Sequence, residues 1–230
     1  MDMNDVKSIY DNSVDKEVKK IQDSNGNIIW YKVPDGYRKV EYLESSNGNP
    51  YIDTGISIDE PCYYTAKIKF QLGATHRDSS GIFGTYVGSQ QRFQLFGATS
   101  NLTFGIGNGY YSQPKDDFVA TPHTVILDAK NLSVKLDGEN KQATTNSYTR
   151  PNNSSGANIC IFASMQSAIS TSENSRIWYV KLLDNDVLIR HFIPLVRTSD
   201  SKPGVYDLVK DVFYTNQGTG EFTWGEIPNG

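Results

Sequence analysis

Along most of the chain, apolar and polar residues alternate with a period of two. Cys62, Tyr64, Ala66, Ile68, Phe70 and Leu72 interleave with Tyr63, Thr65, Lys67, Lys69 and Gln71. Successive strand side chains point to opposite faces, so this stretch predicts a half-buried strand with one wet side. Phe93/Leu95 and Leu102/Phe104/Ile106 form two shorter runs joined by Gly97-Ala98-Thr99-Ser100, and so predict a hairpin. Val125/Leu127 and Leu132/Val134/Leu136 flank Asp128-Ala129-Lys130-Asn131, with Asp137-Gly138 closing the second run, and predict another. Residues 176–183 and 187–193 pair across Asp184-Asn185-Asp186, while Ile159-Cys160-Ile161-Phe162 is apolar on both faces and reads as a central strand. Nowhere does an i, i+3, i+4, i+7 stripe persist. Short strands separated by turn residues at roughly 8–12-residue spacing predict an all-β fold, a two-sheet antiparallel β-sandwich of jelly-roll type.

Residues 1–34 differ in character. Val6-Lys7-Ser8-Ile9 is echoed by Val18-Lys19-Lys20-Ile21, and the second copy runs into Asn25-Gly26. That dipeptide tolerates positive φ at both positions and predicts a β-hairpin of Val18–Gln22 with Asn27–Lys32. Two strands alone are marginal in water. Ile21, Ile28 and Trp30 therefore need a surface to pack on: the main domain, a neighbouring subunit or an assembly. Pro34-Asp35-Gly36 supplies a turn, dividing the chain into a hairpin and anchoring segment (1–34) and a sandwich domain (35–230).

Composition narrows the function. The 230 residues suit one all-β domain, and 14 Tyr and 10 Phe within a hydrophobic content of 37% suit aromatic-faced strands. The net charge of −4 carries no basic block. Without a cationic field there is no counterion release to drive binding, so neither nucleic acid nor an anionic membrane surface is an expected partner. No apolar run approaches the ~18 residues of a membrane span. The opening Met1-Asp2-Met3-Asn4-Asp5 lacks the apolar core of a secretory signal. Cys62 and Cys160 both lie in apolar runs and are expected to be buried free thiols.

Catalytic signatures are missing. His76, His123 and His191 are isolated, without metal-ligand spacing, and His191 alternates with Ile189 and Ile193 as a structural histidine would. There is no Gly-x-Ser-x-Gly elbow. Gly105-Ile106-Gly107-Asn108-Gly109 lacks the helix and third-glycine spacing of a dinucleotide loop and reads as a strand-end turn. Asp184/Asp186 read as part of a tight turn and Asp116/Asp117 as part of the loop after Gln113-Pro114-Lys115, neither on a catalytic strand. Sugar binding needs flat aromatic faces together with Asn, Asp, Gln or Arg to hold hydroxyls. Two stretches have that mixture: Asn108, Tyr110, Tyr111 and Gln113 in one, Arg77, Asp78, Tyr86 and Arg92 in the other. Both read as loops, and tyrosines that merely cover a sheet edge would leave the same pattern. Thr144–Ala157, rich in Thr, Asn and Ser, reads as a solvated loop, with a mobile rim as the alternative.

Val40-Glu41-Tyr42-Leu43-Glu44-Ser45 and Tyr51-Ile52-Asp53-Thr54-Gly55 near the front have counterparts at the end. These are Arg176–Leu183, Leu188–Arg197, Gly204–Val209 and Phe213–Thr223. This set resembles the concanavalin A-like (laminin G-type) lectin/glucanase modules of phage and prophage virion proteins, over roughly residues 35–225. The resemblance implies two antiparallel sheets face to face, with the Phe213–Asn216 strand returning near Tyr51–Gly55. It also implies a virion location, on a tail or surface appendage assembled in a bacterial cytoplasm. Glucanases of this fold align carboxylates on one strand at alternating positions, and no such array occurs here. Some laminin G-type domains bind calcium, yet no Asp-x-Asp-x-Asp cluster marks a site; no cofactor or metal is expected. The expected function is non-catalytic binding of host-surface carbohydrate, with other virion proteins as partners and room for a homo-oligomer. The alternative is structural capsid or tail decoration without sugar binding.

Overall fold

The computed structural model describes residues 9–11, 16–24, 28–58, 62–75, 79–86, 88, 91–152, 156–165, 169–171 and 174–227. In chain order the strands begin β1 (Ile9–Asp11), β2 (Lys16–Val18), β3 (Lys20–Gln22), β4 (Ile28–Tyr31), β5 (Tyr37–Lys39), β6 (Tyr42–Asn49), β7 (Ile52–Ser57) and β8 (Tyr64–Leu72). They continue as β9 (Ser80–Tyr86), β10 (Arg92–Gly97), β11 (Asn101–Gly107), β12 (Gly109–Pro114), β13 (His123–Asp128), β14 (Ser133–Leu136), β15 (Glu139–Lys141) and β16 (Asn158–Ile161). The last are β17 (Ala163–Met165), β18 (Ile169–Thr171), β19 (Ser175–Asp184), β20 (Val187–Arg197), β21 (Lys202–Asp207), β22 (Val212–Thr215) and β23 (Thr219–Gly225). A 3-10 turn, Lys115–Phe118, follows β12.

Two large sheets make the body, and the β-sandwich predicted by the alternation is what forms. The larger runs β15-β14-β13-β8-β19-β20-β21-β22, with β6 beside β19, β23 beside β6 and β5 beside β20. The smaller runs β12-β11-β10-β9-β16-β7, with β17 and β18 attached at β9. β8 shows the cause: its residues alternate strictly between buried and half-buried, so Ala66, Ile68 and Phe70 enter the core while Lys67 and Lys69 stay wet. Aromatic rings bridge the layers. Phe118 packs between Phe70 of the larger sheet and Phe104 of the smaller, with ring centroids 5.8 and 5.7 Å away, and Phe162 meets Phe222 at 5.0 Å. Such pairs prefer these offset and tilted geometries.

Local chemistry fixes the register of the longest hairpin. Asn185 and Asp186, between β19 and β20, both take positive φ (51° and 70°), the conformation a two-residue turn between twisted strands requires. Pro194 sits inside β20 where it costs no ladder bond. β19 pairs with β20 only as far as Phe192 and β5 takes over from Leu195, so the missing N–H falls between partners. The Phe213–Asn216 run pairs with β21 instead of with β7. Its return to the opening strand is made just beyond β22: Asn216 Oδ1 accepts from the Tyr51 N–H (3.1 Å), Gln217 Oε1 from the Asp53 N–H (2.9 Å), and the Gln217 N–H donates to the Tyr51 carbonyl (2.9 Å).

The N-terminal hairpin docks on the body. β3 and β4 pair antiparallel, Lys20 with Tyr31 and Ile21 with Trp30. The predicted first strand began at Val18, which instead belongs to β2 and pairs with β1; Asn25-Gly26 lies outside the described residues. Ile28 joins Leu188, Ile193, Leu195, Tyr206 and Leu208 in a second cluster on the outer face of the larger sheet. Trp30 is buried, Ile21 half-buried, and Lys20 Nζ donates to the Leu208 carbonyl (2.7 Å). Of the three docking partners open to these residues, Ile28 has the sandwich itself.

Three buried polar features accompany this packing. Cys62 and Cys160 are both buried free thiols, as their apolar surroundings predicted. His191 is buried, but its Nδ1 has no hydrogen-bond partner, unlike the satisfied histidine the alternation suggested. Burial, and then the nearby Lys181 ammonium, push its pKa down to about 3. Asp207, fully buried, accepts from the N–H groups of His191 and Val209, both at 3.0 Å. Its second oxygen lies 3.3 Å from Arg190 Nε, an ion-pair contact angled too poorly for a hydrogen bond.

Candidate functional site

The outer face of the smaller sheet carries three cross-strand rows of side chains, two residues apart along each strand. In β10, Phe93 and Leu95 are core residues, so Arg92, Gln94 and Phe96 point the other way. The first row sets Tyr86 of β9 opposite Arg92. The second sets Gly84, Gln94, Gly105 and Tyr110 side by side across β9, β10, β11 and β12. The third sets Phe96 beside Thr103 and Ser112. Rows spaced two residues apart lie about 7 Å from one another.

Glycine makes this face a hollow. Gly84 and Gly105 flank Gln94, so the middle row has a low floor with Tyr110 standing at its end. Gly84 has φ +111°, and a Cβ there would collide with the Phe93 carbonyl. At Gly105 a Cβ would sit 3.0 Å from Arg92 Cδ, pressing on the stem of that side chain. The resulting cavity holds about 320 Å³ and is lined by Tyr86, Arg92, Gln94, Phe96, Thr103 and Tyr110 along with Ala98 and Ser164. That is within the size range of small-ligand sites, about 300–1,000 Å³.

The polar groups in it are held in place. The Arg92 guanidinium lies over the Tyr86 ring at 5.6 Å and over the Tyr110 ring at 5.1 Å, and its Nη1 donates to the Asn108 carbonyl (3.0 Å). Both contacts are within cation–π range. Ser164 Oγ donates to Gln94 Oε1 (2.9 Å), leaving the Gln94 amide N–H groups for the hollow. Thr103 Oγ1 donates to the Phe96 carbonyl (2.8 Å) and keeps its lone pairs free. Ser164 arrives by an unusual turn. Phe162 takes φ +62°, its N–H bonded to the Ile82 carbonyl (2.8 Å) and its ring against Phe222, and the chain folds back as β17. A left-handed phenylalanine costs about 1–2 kcal/mol, offset here by that packing.

Four of the eight residues singled out from sequence come together: Tyr86, Arg92 and Tyr110 line the hollow, and Asn108 holds Arg92 through its backbone carbonyl. Residues 109–114 form a strand, not a loop, so the two tyrosines face opposite sides. Tyr111 turns inward against Phe104 (5.8 Å), and its hydroxyl donates to Gln113, which in turn donates to Asp117. Tyr111 and Gln113 are therefore packing residues outside the hollow. Arg77 and Asp78 lie outside the described residues. The Thr144–Ala157 stretch is not free. Thr145 bridges to Tyr110, the Thr149 hydroxyl accepts from the Asn108 N–H (2.9 Å), and the Tyr148 hydroxyl donates to the Lys141 carbonyl (3.1 Å); residues 153–155 lie outside the described residues.

A scan against models of protein families finds none that matches this chain, and no curated protein matches it. Sequence reasoning missed Gln94, Phe96 and Thr103, whose outward position follows from the inward Phe93, Leu95, Leu102 and Phe104. Ser164, 70 positions from Gln94, has no such signal. Among the described residues no group of His, Cys, Asp and Glu could hold a metal ion.

Proposed function

We propose that this chain is a non-catalytic saccharide-binding module, carried on the tail or a surface appendage of a phage or prophage particle and directed at host-surface glycans. One observation carries this reading: two tyrosines, an arginine and a half-free amide from three strands converge on a glycine-floored hollow of about 320 Å³. Flat rings accept the C–H faces of a pyranose, while amide and guanidinium donors fix its hydroxyls. The lining residues include no carboxylate. Glycoside hydrolysis by the usual route needs two, so the composition of the hollow favours holding a sugar over cleaving it. The virion placement rests on the likeness of the paired end motifs to phage lectin-type modules. Single-site affinity is expected to be weak and strengthened by several copies on one particle.

The test is a glycan array of bacterial capsular and wall saccharides, probed with the oligomerised protein. Binding is expected, and Tyr110→Ala is expected to weaken it about tenfold, the worth of one aromatic contact of about 1.5 kcal/mol. Absence of binding to every saccharide, or full retention in Tyr110→Ala and Tyr86→Ala together, refutes the reading.

A further inference from the structure

The saccharide reading leaves the class of sugar open, and Arg92 narrows it. Of the described arginines, Arg38, Arg176, Arg190 and Arg197 each face a carboxylate: Glu226, Glu44, Asp207 and Asp200 respectively. Arg150 sits over the Tyr63 ring and donates to the Lys130 carbonyl at the exposed surface. Arg92 differs from all of these. It is half-buried in a hollow, within cation–π distance of the Tyr86 and Tyr110 rings, with one N–H given to the Asn108 carbonyl and no carboxylate beside it among the described residues.

A guanidinium has five N–H donors in a rigid fork. Near two rings and with one N–H given to the Asn108 carbonyl, its remaining donors match the paired oxygens of a carboxylate or phosphate. Desolvating a cation without a counter-charge is costly, and an incoming anion offsets that cost. Gln94 lies one row away, its amide N–H groups facing the same space. The hollow thus has positive charge, clustered donors and no acid.

Resting on the saccharide-binding reading, we infer that the ligand is an acidic saccharide, whose anionic substituent is held in the fork of Arg92 while a ring of the sugar lies against Tyr110. Isothermal titration distinguishes the possibilities with four probes: oligogalacturonate, oligoglucuronate, their carboxyl-reduced neutral counterparts, and a glycerol-phosphate-linked wall polymer. At least one acidic probe is expected to bind ten-fold or more tighter than its neutral counterpart, with affinity falling as salt rises. The carboxylate and phosphate arms identify the anion. Arg92→Gln is expected to abolish the preference for the acidic probe, and Arg92→Lys to retain only part of it. If neutral saccharides bind as tightly as acidic ones and lose affinity in Tyr110→Ala but not in Arg92→Gln, this inference is wrong and the saccharide reading stands. If neither acidic nor neutral saccharides bind, both fail.

Discussion

Taking the protein from pH 7 to pH 5 should weaken it through one side chain, His191. This residue lies on β20 opposite Lys181 of β19, and Lys181 in turn lies opposite Lys67 of β8, so three basic groups share one row. The ring is 6% exposed, stands edge-on to Tyr179 at 6.5 Å and has an unpartnered Nδ1. Burial, and then Lys181, lower its pKa from 6.5 to about 3. Between those values the unfolded chain binds a proton that the folded chain refuses. Stability is therefore complete above the unfolded pKa and falls as pH drops below it, by about 1.4 kcal/mol per pH unit. From pH 7 to pH 5 the loss from this group alone is about 2 kcal/mol. Most carboxylates have not yet titrated in that window, and comparison with a variant lacking His191 separates its share from that of the other two histidines. The assay is urea denaturation of the wild type and of His191→Gln at pH 7, 6 and 5. The variant has a lower starting stability and a nearly flat profile. Equal slopes in the two proteins would refute the reasoning and place the acid sensitivity elsewhere.

Two further predictions concern buried polar groups. Asp207→Ala removes the acceptor for two backbone N–H groups and leaves Arg190 without its carboxylate, so urea midpoints should record a loss of about 3–5 kcal/mol, with Asp207→Asn retaining part of it. Burial and then Asp53 push the Cys160 thiol up to about 12, and Cys62 is 1% exposed. Neither thiol should react with Ellman's reagent at pH 8 until urea opens the sandwich; prompt stoichiometric reaction of the folded protein would overturn the assigned burial.

Much of the architecture was legible because burial here follows strict alternation. β8, the β10/β11 and β13/β14 hairpins and the β19/β20 pair all appear where apolar residues recur every second position. The same rule, applied to residues 109–114, separates Tyr110 from Tyr111; taking them as a loop put both on one surface. Tyr86 and Arg92 were visible as an aromatic and a cation near each other in sequence, whereas the approach of Arg92 to the Tyr110 ring depends on β11 pairing between β10 and β12. Gln94 was legible from its alternation with Phe93 and Leu95 and was passed over because a lone glutamine between core residues carries no ligand pattern of its own. Ser164 was not readable at all. Its place depends on Phe162 adopting a left-handed backbone, which no residue preference favours and which only tertiary packing imposes.

The docked hairpin has a geometric consequence. β3 and β4 cover the outside of the larger sheet, and the Arg92 hollow opens on the outside of the smaller one. The molecule therefore has a back and a front. Whatever meets the outer side of the leading strands lies behind the domain, on the face opposite the hollow. Orientation is set by how Ile28 seats against Leu195 and Tyr206, two sheets away from where a ligand would be met.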